Sequence, residues 1–214
     1  MLTYRDGDHV LPQRANLFRD VCQVLPDHLG VFCPAAQGVL WDGETSIPSQ
    51  WGLATFVHRS LPIIGQVQGF VHKDYSPVGY GDHPRSRSAH GVRVYDYAAK
   101  RTLSVTHMHG LRDLNGKADT PERADQAHRL LGLSQQVSAP GDVNVICGDF
   151  NDLPTSYTYN QLSKNLNDGF LATSWGLGAS YNGLLPGLRI DFTLLDKSLS
   201  VHSSKRIDLD ISDH

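Results

Sequence analysis

The sequence has 214 residues, 40% hydrophobic and 19% charged, and its 19 basic and 22 acidic residues give a formal net charge of −3. This length can build one sizeable core and no stretch has the composition of a linker, so we expect a single domain over residues 1–214. The charge excludes a strongly basic field for long polyanions, and no apolar run could span a bilayer. With no signal-peptide core, we expect a cytoplasmic protein, and no obligate protein partner is indicated.

The first part of the chain predicts one helix and several strands. Residues 1–10 are polar and we expect them to be loosely held, whereas apolar steps of three and four predict an amphipathic helix over residues 11–25. A Gly/Ser/Pro-rich loop is expected at 35–50. Short apolar runs predict strands at residues 30–34, 51–58 and 66–71, the last two as partners.

A long polar loop over residues 72–90 comes next, and loops of this kind often border a functional site. Arg85 and Arg87 in this loop are candidates for substrate contact, although a solvated role is more usual for such residues. Beyond the loop, strands are predicted at 91–97 and 101–106. Thr120 and Pro121 then begin a predicted helix that extends to about Val137.

The stretch VNVICGDFNDLP, residues 143–154, combines a buried strand with a polar end. Its first half is apolar and β-branched, as in a strand inside a sheet. Gly148 then permits a backbone geometry that other residues avoid, and Asp149 and Asn151 follow two positions apart. On an extended backbone these side chains project to the same side, so we expect a carboxylate and an amide side by side. An ordinary Asp/Asn-rich turn would have the same composition.

The last part of the chain carries two further polar groups. A short helix is predicted at 156–164, and residues 165–188 are predicted to be largely loop. The run RIDFTLL, residues 189–195, is an apolar strand with one acid, Asp191, and the sequence ends on ISDH, residues 211–214.

A Gly-Asp-Phe-Asn after a strand, an Ile-Asp-Phe strand and a Ser-Asp-His, in this order, resemble the endonuclease/exonuclease/phosphatase superfamily. The resemblance covers the chain from about Gly38 onward. It implies a four-layer α/β/β/α sandwich, in which two mainly antiparallel sheets pack face to face with helices outside. It also implies a divalent-metal-dependent hydrolase of phosphoester bonds with Mg²⁺ or Mn²⁺ as cofactor. The implied partner is a phosphoester substrate, either nucleic acid or a smaller molecule.

The resemblance also implies roles for residues of the later motifs. Asp149 would orient or deprotonate the attacking water, and Asn151 would hold that water or a phosphate oxygen. His214 would hydrogen-bond the scissile phosphate and would be oriented by the Asp191 carboxylate. The implied metal ligands are Asp149, Asn151 and Asp213.

A further histidine is expected to contact the phosphate. His107 follows the predicted strand 101–106 in a Thr-His pattern typical of the family, and His109 is the less favoured choice. The same segment also resembles the start of a metallo-β-lactamase-type His-x-His zinc motif. That motif continues with an Asp and a His, whereas this sequence has Leu111 and Arg112, and Arg does not ligate zinc. We therefore disfavour the zinc hydrolase.

Two features of the family pattern have no match in this sequence. The family begins with a strand ending in Asn and a second ending in Gln-Glu, and this Glu is its principal metal ligand. Nothing before Leu11 resembles these strands, Glu44 lies in a predicted loop, and the family's strand beyond the Ser-Asp-His is missing. We therefore expect a truncated form of a longer enzyme that binds metal poorly. A non-catalytic binding module that retains the scaffold is the alternative.

Overall fold

The computed structural model describes residues 2–6, 9–14, 16–79, 81, 84–181, 187–207, 212 and 214. These residues form two packed, mostly antiparallel β-sheets with helices on the outside, which confirms the predicted sandwich. The first sheet contains β1 (Leu2–Asp6), β2 (His9–Gln13), β3 (His28–Trp41) and β4 (Ser46–His58). Its strand order is β2-β1-β3-β4, and every neighbouring pair is antiparallel.

The second sheet has six strands and carries the motif-bearing segments. It contains β5 (Ile63–His72), β6 (Arg87–Asp96), β7 (Arg101–His109), β8 (Val143–Asp149), β9 (Leu166–Asp168) and β10 (Asp191–Asp196). The order is β5-β6-β7-β8-β10-β9. β7 and β8 run parallel because α2 (Pro121–Val137) connects them, and the other neighbouring pairs are antiparallel.

The helices cover the outer faces of the two sheets. α1 (Leu17–Val24) packs on the four-stranded sheet through Phe18, whose ring lies 5.6 Å from that of Phe32 and 5.5 Å from that of Phe56. α2 packs on the six-stranded sheet, and α3 (Tyr157–Ser163) packs against α2. Thr120 caps α2 as predicted, since its hydroxyl accepts the Arg123 N–H at 3.3 Å.

Two apolar clusters form the core, one on each face of the six-stranded sheet. The outer cluster lies under α2 and α3 and includes Met108, Ile146, Phe150, Phe192 and Leu194. The inner cluster lies between the sheets and is built on Val57, Val92 and Val94. Side chains alternate along each strand, so neighbours of the inner cluster on β7, β8 and β10 point into the crevice between the sheets.

Several predictions for the N-terminal half are wrong. Residues 2–6 and 9–13 pair as a β-hairpin, although residues 1–10 were expected to be loosely held. The helix predicted over residues 11–25 begins only at Leu17, because its first part belongs to this hairpin. The predicted loop at 35–50 is instead a long ribbon of β3 and β4, because Asp42 accepts the N–H groups of Glu44 and Thr45 at 2.8 and 2.7 Å and closes a tight turn. β5 pairs with β6 rather than with the strand at 51–58.

No helix among the described residues is both long and apolar enough to cross a membrane.

Candidate active site

Three neighbouring strands of the second sheet place polar residues side by side at one edge. His109 at the end of β7 and Asp149 at the end of β8 are register partners in the parallel pair. Asp191 at the start of β10 is the antiparallel partner of Asp149. Residues that are direct partners lie on the same face of a sheet, so all three side chains point toward the crevice between the sheets.

The β8 end is shaped by two unusual backbone conformations. Gly148 has φ +126°, and a Cβ there would lie 2.2 Å from the Met108 carbonyl oxygen, so only glycine fits. Asn151 has φ +53°, a region that Asn tolerates better than most residues. The Asn151 backbone N–H donates to Asp149 Oδ1 at 2.7 Å, and its side-chain Nδ2 donates to Asp149 Oδ2 at 2.8 Å.

The predicted pairing of carboxylate and amide is therefore present, but its cause differs from the one we expected. An extended backbone was expected to align the two side chains. The structure instead turns the chain back at Asn151 through the left-handed region, so that one carboxylate accepts two N–H groups of the same residue.

The second pair predicted from the sequence lies at the same place. His214 Nδ1 is 2.8 Å from Asp191 Oδ2. One ligand atom each from Asp149, Asp191 and His214 lies within 4.8 Å of the others. We call Asp149, Asn151, Asp191 and His214 the strand-end cluster.

The loop before β10 holds Asp191 in place. The backbone N–H groups of Ile190 and Asp191 both donate to Ser180 Oγ at 3.1 Å. The ring of Tyr181 lies 5.2 Å from the imidazole of His214 in an edge-on arrangement. The segment that the sequence predicted as loop therefore supports both members of this pair.

The carboxylate of Asp149 is surrounded by opposing influences. Burial and the negative charge of Asp191 raise the pKa of Asp149 to about 6, and only 18% of its side chain is exposed. The N–H of Asn151 and the positive charges of His214 and Lys117 act in the opposite direction. Two carboxylates this close favour either a proton or a cation between them.

The two histidines of β7 occupy different depths of the crevice. His109 Nε2 lies 3.5 Å from Asp149 Oδ2. His107 lies two residues deeper, where its Nε2 is 2.7 Å from the hydroxyl of Thr55 on β4. The same hydroxyl is 2.7 Å from His90 Nδ1. His109, the less favoured candidate, is thus the histidine in contact with the strand-end cluster.

Desolvation favours the neutral form of the imidazoles on β6 and β7. Desolvation, followed by the charge of His90, lowers the pKa of His107 to about 4, and desolvation also lowers the pKa of His90. Desolvation and the positive charges of Arg87, His214 and Arg112 lower the pKa of His109. Half of the His109 side chain is exposed, so it remains accessible from solvent.

The remaining predicted site residues have varied placements. Asp213 lies outside the described residues. Arg87 is only 9% exposed and its Nε donates to the Gly110 carbonyl at 2.8 Å, so the prediction of a solvated loop residue is wrong for it. Arg85 lies in the segment before β6 and is partly buried. Glu44 lies in the exposed turn between β3 and β4, as expected for a loop residue.

Sequence reasoning missed three residues that the structure brings to the site or its support. They are Thr55, Lys117 and Arg123. Thr55 comes from the other sheet. Lys117 and Arg123 lie in and after the loop that follows β7, and both bond to Asn151. Their positions depend on long-range contacts, and no local pattern distinguishes them in the sequence.

The sequence matches one known protein family over most of its length. The model of the Endonuclease/Exonuclease/phosphatase family matches residues 13–214. No curated protein gives a significant match.

Solved structures with the same fold share little sequence with this chain. A Bacteroides thetaiotaomicron family protein superposes with TM-score 0.62 at 15% identity, over 85% of this chain and 65% of that one. A mannosyl-6-phosphatase from the same organism superposes with TM-score 0.62 at 14% identity, over 85% of this chain and 67% of that one. The catalytic domain of human Nocturnin superposes with TM-score 0.59 at 17% identity, over 85% of this chain and 66% of that one.

At these identities the superpositions demonstrate a common fold, and the chain spans about two thirds of the length of each of these structures. The match of the family model over almost the whole chain carries the assignment further. This chain belongs to the endonuclease/exonuclease/phosphatase family.

Proposed function

We propose that the chain is a divalent-metal-dependent hydrolase of phosphoester bonds, acting as a nuclease or as a phosphatase on a smaller molecule. The observation that carries the proposal is the strand-end cluster, in which ligand atoms of Asp149, Asp191 and His214 lie within 4.8 Å of one another. Family membership and the phosphatase among the structural neighbours support the reaction class.

The residues of the cluster fit a hard divalent cation. Asp149 and Asp191 repel each other, and oxygen ligands suit Mg²⁺ or Mn²⁺. In our proposal Asp149 is a metal ligand, together with Asp213 as implied by the family resemblance. When bound, the metal would neutralise charge on the phosphate and lower the pKa of a coordinated water.

Asn151 was also predicted to ligate the metal, and the structure bears on this role. Its Nδ2 faces Asp149, whereas its Oδ1 faces Lys117 Nζ at 3.3 Å. A metal could use Oδ1 only if the amide left Lys117. We therefore propose that Asn151 acts mainly by holding the Asp149 carboxylate and a water or phosphate oxygen.

The residues of the chain can carry the proton transfer. The Asp149 carboxylate, whose pKa is raised to about 6 in the metal-free chain, is ionised at neutral pH and would orient the attacking water or accept its proton. Asp191 accepts from His214 Nδ1 and so leaves Nε2 of that ring to face the substrate. His109, beside Asp149, is our preferred further contact to a phosphate oxygen, with His107 as the alternative.

The substrate class stays open between nucleic acid and a smaller phosphoester. The net charge of −3 favours the smaller one, because extended polyanions usually bind to basic surfaces.

Turnover of a generic phosphodiester tests the proposal. With bis(p-nitrophenyl) phosphate and Mg²⁺ or Mn²⁺, we expect Asp149→Ala and His214→Ala each to lower kcat by about 10²- to 10⁴-fold, as loss of a proton-transfer group does. Asp125→Ala, which removes an exposed acid on α2, is the matched control and should be neutral. Unchanged turnover in both site variants would reject the assignment.

The alternative is a non-catalytic binding module. The small number of potential metal ligands favours this alternative. Among the described residues, the group that could hold a metal ion consists of two carboxylates and one imidazole. We expect calorimetry to show Mg²⁺ binding weaker than micromolar, since affinity rises with the number of charged ligands. If the chain is inert on nucleic acids, phospholipids and inositol phosphates, the binding module becomes the better description.

A further inference from the structure

Lys117 lies in the loop between β7 and α2 and reaches the strand-end cluster from outside the recognised motifs. Its Nζ donates to the Asn151 carbonyl at 2.7 Å and to Asn151 Oδ1 at 3.3 Å. The side chain is partly buried, and Asn151 itself is only 6% exposed. Holding a lysine in this way costs rotamer freedom and hydration, and the two hydrogen bonds to Asn151 offset part of that cost.

The contacts of the Asn151 side chain determine which way its amide points. Nδ2 donates to Asp149 Oδ2 at 2.8 Å and lies 3.4 Å from the Gly110 carbonyl, so two acceptors surround the nitrogen. Oδ1 faces the Lys117 ammonium, which can only donate. The reversed orientation would direct the amide oxygen toward the Asp149 carboxylate and the amide N–H toward the ammonium, and both contacts would be repulsive.

Arg123 donates to the same Asn151 carbonyl as Lys117, whereas the side-chain oxygen of Asn151 faces Lys117. The Arg123 side chain is fully buried, and its Nη1 donates to the Asn151 carbonyl at 3.0 Å while Nη2 donates to the Gly116 carbonyl at 3.3 Å. Nη1 also lies 3.3 Å from Asp152 Oδ2. Arg123 therefore connects the loop that carries Lys117 to the turn after β8. This connection holds Lys117 close to Asn151.

We propose that Lys117 is a positioning residue of the strand-end cluster, which holds the Asn151 amide with its nitrogen toward Asp149 and so fixes the carboxylate. Its consequence for turnover rests on the proposed phosphoesterase function, whereas its effect on Asn151 is independent of that function. Lys117 acts through Asn151 and need not touch the substrate.

Kinetics of matched variants test the catalytic consequence. Lys117→Met keeps the length of the side chain but removes the donor, and we expect kcat to fall by about 10- to 100-fold with KM nearly unchanged, as for other supporting residues. Lys117→Arg retains a donor and should recover most of kcat. Lys197→Met, at an exposed lysine beyond β10, should behave as wild type. A rise in KM at unchanged kcat would overturn positioning in favour of direct phosphate binding.

Nuclear magnetic resonance of the Asn151 side-chain amide tests the placement without any turnover. In Lys117→Met we expect its two N–H signals to shift, to exchange faster with solvent and to lose their separation, whereas Lys117→Arg keeps them near the wild-type positions. If the methionine variant does not fold, the same two amide signals of Asn151 can be measured in Lys117→Gln. Unchanged Asn151 amide signals in both neutral variants would overturn the inference. Shifted signals in a chain without turnover would support it and count against the proposed function alone.

Discussion

At the scale of single residues, the surroundings of Asp149 disfavour the ionised form of its carboxylate. Its pKa rises to about 6 because the carboxylate is desolvated and faces Asp191, although Asn151 donates two N–H groups to it. Such a site is poorly suited to stability and well suited to binding a cation or accepting a proton. The electrostatic cost of the ionised form should be measurable when no metal is present.

We expect Asp149→Asn to stabilise the metal-free protein at alkaline pH. Because the folded-state pKa of about 6 lies above 3.8, the usual pKa of an exposed aspartate, the contribution of Asp149 to stability is fully present below about pH 4 and is lost as pH rises through 6. The variant should therefore exceed wild type by about 1 to 3 kcal/mol at pH 8 and match it near pH 4. Denaturant unfolding with a chelator measures this difference, and Asp125→Asn is the control.

The histidines of the crevice act in the opposite direction. The pKa of His107, lowered from 6.5 to about 4, means that its contribution to stability is present above pH 6.5 and is lost as pH falls toward 4. In wild type the two effects partly offset each other between these limits. A stability difference between Asp149→Asn and wild type that did not change with pH would contradict the assignment of the raised pKa.

At the scale of elements, polar contacts join the two sheets beside the apolar core. Thr55 on β4 lies 2.7 Å from His90 on β6 and 2.7 Å from His107 on β7. A hydroxyl has one proton, so it donates to one neutral imidazole and accepts from the other. This arrangement fixes complementary tautomers for the two rings and anchors β7, which continues to His109.

Thr55→Val should distinguish the contribution of the Thr55 hydrogen bonds to stability from that of its packing. The valine has nearly the same shape but leaves two buried ring nitrogens without their partner, so we expect a loss of about 1 to 3 kcal/mol in the free energy of unfolding. Thr55→Ser, which keeps the hydroxyl, is the matched control and should lose less. A valine variant as stable as the serine variant would show that the hydroxyl bonds contribute nothing net.

A buried ion pair anchors the start of β10 and hence Asp191. Arg189 Nη1 lies 2.6 Å from Asp168 Oδ2, and the guanidinium stacks 4.8 Å from the Phe192 ring centre. Arg189→Met should lower the free energy of unfolding by about 3 to 5 kcal/mol, because it leaves the Asp168 carboxylate buried without its cation. Arg129→Met, which removes an exposed pair with Asp125, should cost less than about 1 kcal/mol. Equal losses in thermal unfolding would contradict this difference.

The sequence predicted elements well where local chemistry determines them. The Thr120 cap, the glycine at position 148 and the apolar strands β8 and β10 are all encoded within a few residues. The polar hairpin of β1 and β2 was missed because a ribbon with both faces partly exposed lacks a hydrophobic period. Likewise, the pairing of β5 with β6 depends on tertiary contacts, which the composition of the strands does not indicate.

The site shows the same division. The pairs Asp149 with Asn151 and Asp191 with His214 follow from motifs, and their meeting was predicted through the family resemblance. That His109 rather than His107 contacts Asp149 depends on the parallel register of β7 and β8, which the sequence does not specify. Lys117 was missed because its loop has no regular pattern and its role appears only when the turn after β8 is in place.

At the scale of the whole molecule, the position of the strand-end cluster depends on one crevice between two sheets. The six-stranded sheet supplies the strand ends, and the four-stranded sheet closes the inner side through Thr55 and the apolar residues around Val57. The strand-end cluster lies at the rim of this crevice, where an exposed histidine and two partly buried carboxylates meet solvent. Solved structures that share only 15 and 17% of their sequence with this chain have the same fold.

The central claim is that a divalent cation binds at Asp149 beside the pair of Asp191 and His214. Its most direct test is a Mn²⁺ titration followed by nuclear magnetic resonance. We predict that paramagnetic broadening first removes the backbone signals of Asp149, Asn151, Asp191 and His214 together, and that Asp149→Ala abolishes the effect. The signals of Asp42 to Thr45, an exposed acidic turn, should persist at the same Mn²⁺ concentration. Broadening centred on only one of the two strand ends, or on another part of the chain, would contradict the account.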